Sequence, residues 1–204
     1  PVVVRSFEKL LEIYKKGYLY KDTLSTGYSE ALKLLMDGTA AMYPMLTFAL
    51  GTMEEMDKVK AQDIGFFAQP GDSPANAGVT VWLPGVFAAN KSSPKMDSIK
   101  KWMAFFASPE AMAIMAAAQR PSGPFMIAGA AMPDSVLPAV KEMLPYFAAG
   151  KTAPALEFLS PVKGPSLPQI CVQAAMAMKT PAECAASYDK DVEKQAKQLG
   201  LAGW

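Results

Sequence analysis

Histidine is absent from this chain of 204 residues. That single absence removes the commonest general base, the Ser–His and Cys–His nucleophile pairs, and nearly every catalytic zinc site. Arginine is almost missing as well: of 20 basic residues, only Arg5 and Arg120 carry a guanidinium. Bidentate clamps on phosphate or carboxylate are therefore scarce, and Arg120 stands out in its loop Gln119-Arg120-Pro121-Ser122-Gly123. It is either a solvated loop arginine or a ligand contact. With a net charge of +1 and no long run of Lys or Arg, the chain has no electrostatic footprint for nucleic acid or an anionic membrane surface. No apolar run reaches the roughly 20 residues of a membrane span, and no secretory leader or Gly-rich phosphate loop is visible. No metal site, cofactor site or catalytic residue is expected.

Cysteine is nearly absent too, with Cys171 and Cys184 lying 13 residues apart on what read as consecutive antiparallel helices. A disulfide between them is geometrically possible, and two buried thiols are the alternative. What the chain does have is apolar residues, 51% against 19% charged, enough for a globular protein of one or two domains.

Phe7, Leu10, Leu11 and Tyr14 fall on one face of a helix closed by Gly17, and a second helix from Tyr28 turns Ala31, Leu34 and Leu35 inward before Gly38. A strand is expected at Thr39–Tyr43, then a short helix over Gly51–Lys60, whose acidic start and basic end suit its dipole. Strands are expected again at Asp63–Ala68 and, broken by Pro84-Gly85, within Val79–Ala89. Ser93 and Ser108 each precede a proline and open the next two helices, the first with an inner stripe of Met96, Ile99, Met103 and Phe106. Asp134 opens a helix carrying Leu137, Val140, Leu144 and Phe147. Two more helices follow, about 169–178 and 181–199, the second behind a Thr180–Glu183 capping box. Few strands among many helices make an α/β lobe with a helical cover.

The stretch Asp37-Gly38-Thr39-Ala40-Ala41-Met42, the run Asp63-Ile64-Gly65-Phe66-Phe67-Ala68-Gln69-Pro70-Gly71, and the passage from Trp82 through Val86-Phe87-Ala88-Ala89-Asn90 to Ser108-Pro109-Glu110-Ala111 occur in a telling order. Over about Phe7–Lys197 they resemble the second half of a bacterial extracellular solute-binding protein of family 1, the sugar-type receptors of ABC importers. The resemblance implies an α/β, periplasmic-binding-protein-like fold of type II, here a partial chain with a small mixed sheet and mostly helices. Residues 1–83 would belong to the carboxyl lobe, 84–120 to the amino lobe and 121–204 to the carboxyl lobe again, with the protein's first half absent. The opening on Pro1-Val2-Val3-Val4, without a start methionine, also reads as a piece of something longer.

The resemblance further implies a non-enzymatic receptor that closes around a carbohydrate or similar small polar solute and delivers it to a membrane permease. Such a protein is periplasmic, or extracellular and membrane-anchored. The family's stacking aromatic follows the Gly-x-x-Ala-Met segment, usually as Trp after Gly; here Phe48 holds that place, with Met45 and Leu46 before it. Ligand contacts are expected from Thr47, Phe48, Trp82, Arg120 and Ser122, with Thr80 and Ser166 as further polar candidates. For Phe48 a core role is the alternative.

Two other classes compete with a receptor. Carboxylate pairs at Glu54-Glu55, Asp134 with Glu142, and Asp189 with Asp191 would serve a glycoside-processing enzyme, but such placements are usually solvated surface charges. A helical protein–protein interaction module is the other rival. If a lobe is missing, open strand edges and the apolar face of residues 94–118 favour self-association.

Overall fold

The computed structural model describes residues 2–82 and 85–204; Leu83 and Pro84, on which the expected bend falls, lie outside the described residues, as does Pro1. The chain packs as two compact units, Pro1–Thr26 with Ala155–Trp204, and Gly27–Pro154.

The first unit is three helices, α1 (Val2–Lys15), α7 (Leu167–Ala175) and α8 (Pro181–Gln198), each in contact with the other two. Phe7 of α1 is its centre, buried with Ile170, Ala174, Cys184 and Ala185 and flanked by Val4, Leu10 and Tyr188. The inner stripe of α1 thus runs Val4, Phe7, Leu10, Leu11, and Tyr14 is exposed instead. Packing on Val4 is what carries the helix back through a β-branched start that favours strand by propensity alone.

The capping box of α8 forms as its spacing requires. Glu183 N–H donates to Thr180 Oγ1 at 3.2 Å, and Thr180 N–H donates to the Glu183 carboxylate at 2.8 Å. Backbone and hydroxyl hydrogen bonds from Thr180 hold the Glu183 carboxyl below its ordinary pKa. A depressed folded-state pKa adds stability above the ordinary glutamate value, lost as pH falls through the folded one. Thr180→Ala is therefore expected to cost about 1 kcal/mol in urea unfolding. Glu183→Ala should be less stable than the parent at neutral pH and should close that gap on acidification; a gap that persists in acid would refute the linkage.

The second unit contains α2 (Tyr28–Met36), α3 (Ala49–Met56), α4 (Met96–Phe106), α5 (Pro109–Ala118) and α6 (Pro138–Ala148). It also holds a two-stranded parallel sheet, β1 (Val79–Val81) beside β2 (Thr152–Pro154), with Val79 opposite Thr152. Gly78 makes the pairing possible: a Cβ there would stand 2.8 Å from the carbonyl oxygen of Lys151, which accepts the Val79 N–H at 2.9 Å. The core of this unit joins Leu32 of α2, Leu50 and Met53 of α3, Ala61, and Val136, Leu137, Val140 and Met143 at α6. On α2 the fully buried residue is Leu32 rather than Ala31, Leu34 or Leu35, because the inner stripe runs Tyr28, Leu32, Leu35, Met36.

Among the described residues the sheet is parallel and small, not mixed, and most of the expected strands are missing. Thr39–Tyr43 is irregular. Its first two amides are used by the helix before it: Thr39 and Ala40 N–H donate to Leu34 C=O at 2.9 and 3.0 Å, and Gly38 N–H to Leu35 C=O, with Gly38 at φ +71°. This is the left-handed closure that glycine allows, and it turns the chain out of line for a ladder. Ile64–Ala68 is extended but has side chains of α6 for partners, the Glu142 carboxylate accepting from Phe66 N–H and the Tyr146 hydroxyl from Ala68 N–H at 3.4 Å. Residues 85–89 are also irregular, so the Val79–Ala89 run yields only β1.

Helix boundaries shift where packing outweighs local signals. α3 begins two residues before Gly51 and ends at Met56, with no basic residue in its last turn, because Ala49 and Leu50 are drawn into the core. α4 begins at Met96, and Ser93 instead accepts from Lys95 N–H in the preceding turn. Ser108 caps α5 as expected, its hydroxyl oxygen accepting from Ala111 N–H at 3.2 Å. Asp134 does not cap α6; Leu137 occupies that place. The α4 stripe of Met96, Ile99, Met103 and Phe106 is only half-buried, and Trp102, Phe105, Ile114 and Met115 are exposed beside it.

Candidate functional site

Thr47 and Phe48 lead into α3 as its first turn forms, with Leu50 N–H donating to Thr47 C=O and Gly51 N–H to Phe48 C=O. Glu54 lies seven residues beyond Thr47, two helical turns along the same face. From the far end of α5, Arg120 reaches this face and binds Glu54, guanidinium nitrogen to carboxylate oxygen, at 2.7 Å. The Glu54 side chain is only 15% exposed and that of Arg120 is 39% exposed. The pair is thus anchored on one side and open to solvent on the other.

Three residues on, Gly123 passes so close to Thr47 that a Cβ there would stand 3.1 Å from Thr47 Oγ1. Two independent contacts therefore seat the Arg120–Pro124 loop along α3, Gly123 at its Thr47 end and Arg120 two turns on at Glu54. Of the residues expected from sequence, Thr47 is approached by this loop at Gly123, Arg120 is held two turns along at Glu54, and Phe48 and Ser122 are chain neighbours of these contacts. Ser122 is half-buried in that loop.

Phe48 is 47% exposed, so it is not a core aromatic. Its ring is held from one side by Tyr28, centroids 6.0 Å apart and tilted by 41°, while the Tyr28 hydroxyl donates to Thr52 Oγ1 at 3.2 Å. One side of the ring is thus covered by Tyr28 and the rest is open to solvent.

Trp82 follows β1 directly and is half-buried; β1 places it, whereas the contacts that gather the others run through Glu54 and Gly123. Thr80 is exposed in β1. Ser166 belongs to the first unit, where its N–H and hydroxyl donate to Asp191 at 2.7 and 3.2 Å. Beside it opens a shallow groove of about 360 Å³, lined by residues such as Gln173, Lys190 and Lys194 and by no aromatic side chain.

Sequence reasoning named Glu54 only within a carboxylate pair and missed it as the partner of Arg120, and it missed Tyr28 as the neighbour of Phe48. The spacing of Thr47 and Glu54 on one helical face was the available signal for the first; the position of Tyr28 gave none. Of the six carboxylates that had suggested an enzyme, Glu54 binds Arg120, Glu142 accepts from the Phe66 amide and Asp191 accepts from Ser166.

The family model of the bacterial extracellular solute-binding proteins matches residues 1–113. The chain belongs to this family. No curated protein and no solved structure matches it. In this solute-binding protein the matched part holds Thr47, Phe48, Glu54 and Trp82 and stops inside α5, short of Arg120 and of the Phe7–Lys197 span read from sequence. Along α3 the structure thus presents a half-exposed aromatic ring at Phe48 and a part-exposed guanidinium at Arg120.

Proposed function

We propose that this solute-binding protein takes up a carbohydrate or similar small polar solute at the start of α3 and hands it to the membrane permease of an ABC importer. Phe48 covers an apolar face of the solute, Thr47, Arg120 and Ser122 hydrogen-bond its polar groups, and Trp82 adds a second aromatic contact. Residues 1–83 and 121–204 form parts of one lobe and 84–120 part of the other in a type II binding-protein fold, closing about the crossings near 82–85 and 120–124. The protein works outside the cytoplasm and is not an enzyme.

One observation carries this reading. The Arg120–Glu54 pair brings a loop onto α3 from far along the chain, and the same helix opens on the half-exposed ring of Phe48. A binding site needs such convergence, whereas a solvated loop arginine does not.

Thermal unfolding against a panel of maltose, maltotriose, sorbitol, galacturonate and similar solutes tests it. At least one should raise the midpoint in a concentration-dependent way, since a ligand that binds only the folded state stabilises by mass action. Phe48→Ala should weaken that solute by about tenfold, the worth of one aromatic contact. A panel without any shift would remove the solute reading, and an unchanged affinity in Phe48→Ala would move the site elsewhere.

A further inference from the structure

The two cysteines take no part in the solute site. Cys171 lies on α7 and Cys184 on α8, seven residues before and six after Met178, the middle of the short turn that joins these helices. Antiparallel helices joined by a tight turn bring such positions opposite each other. The packing agrees: Cys184 is fully buried in the core of the first unit, and Cys171 packs against that same cluster while keeping partial access to solvent. Both are free thiols in this structure.

We propose that Cys171 and Cys184 are a disulfide-forming pair that staples α7 to α8 when the protein meets an oxidising environment. The extracellular placement proposed above is such an environment, and there paired cysteines oxidise and persist. The reaction needs a disulfide donor, a small oxidised thiol such as oxidised glutathione or a disulfide-exchange protein.

Access orders the steps. The Cys171 thiol loses its proton to solvent, its thiolate attacks one donor sulfur, and the other donor sulfur leaves as a thiolate. The Cys184 thiolate then attacks Cys171 Sγ in the mixed disulfide and expels the second donor thiolate. Two protein thiols are oxidised and one donor disulfide is reduced to two thiols. Burial pushes both protein thiols up in pKa, and for Cys171 the neighbouring Cys184 adds to the rise. Few thiolates are present at neutral pH, so exchange is slow and is best followed at mildly alkaline pH.

The test treats the whole folded protein with oxidised glutathione, then maps peptides without reduction. The expected product is a monomer lighter by two hydrogens, with the Cys171 and Cys184 peptides joined. Closing so short a loop should raise the unfolding midpoint by roughly 5–10 °C. Cys184→Ser should stop at a stable glutathione adduct on Cys171, and Cys171→Ser should leave Cys184 unreacted until the protein unfolds. Mixed adducts that persist on the parent protein, disulfide-linked dimers, or thiols inert in the folded state would each overturn the pairing. None of these outcomes depends on solute binding.

Discussion

Leu137→Ala is expected to lower the unfolding free energy by about 2–5 kcal/mol, the range for emptying a well-packed leucine site. Leu137 is 1% exposed and sits where the chain enters α6, among Val136, Val140, Met143 and the buried residues of α2 and α3. Its side chain does the positioning that the missing Asp134 cap does not. The cavity would open where buried residues of α2, α3 and α6 meet, so neighbours can close it only by shifting a helix. Urea unfolding of Leu137→Ala beside Leu137→Met checks this. The methionine variant keeps the volume and should lose less than about 1.5 kcal/mol. A loss below about 1 kcal/mol for alanine would mean that the second unit has no cooperative core at this point.

The second large effect is on recognition. Arg120→Ala is expected to weaken the panel solute that binds by about ten- to a hundredfold, the cost of losing hydrogen bonds from a charged donor. The Arg120 side chain is more than a third exposed, so solvent screening holds the stability lost with the ion pair to about 1 kcal/mol or less. A binding loss well beyond that therefore reports contact with solute rather than unfolding. Arg120→Lys keeps the charge and loses the planar fork, so it should fall between the two. Glu54→Gln frees the guanidinium without removing it; its affinity should change less than that of Arg120→Ala if Arg120 touches the solute. Titration by calorimetry separates these cases, and equal affinities in all four proteins would exclude Arg120 from the site.

Helix punctuation was legible because it is written in neighbouring residues. Gly17 and Gly38 close α1 and α2 with positive φ, Ser108 caps α5, and Thr180 with Glu183 caps α8. Strands were overestimated for the converse reason. Val79–Val81, Thr39–Tyr43 and Ile64–Ala68 carry similar apolar grammar, yet only the first found a second backbone, at Thr152–Pro154. Of the other two, one gave its first amides to the carbonyls of α2 and the other donated to Glu142 and Tyr146. Pattern shows that a segment can pair, and only the fold shows with what. In the same way Arg120 could be singled out by its rarity, but its partner could not.

The amino-acid sequence by itself determined that these helices exist, the glycine stops of α1 and α2 and the caps of α5 and α8, the exclusion of histidine chemistry, and membership of the bacterial extracellular solute-binding proteins, because each rests on residue identity or on contacts a few residues long. Tertiary structure alone decided which expected strand was realised, that Leu32 rather than its neighbours is buried, that Glu54 holds Arg120, and that Cys171 packs against the cluster that contains Cys184. These depend on partners distant in the chain, whose meeting is set by how apolar faces are buried together rather than by any local preference.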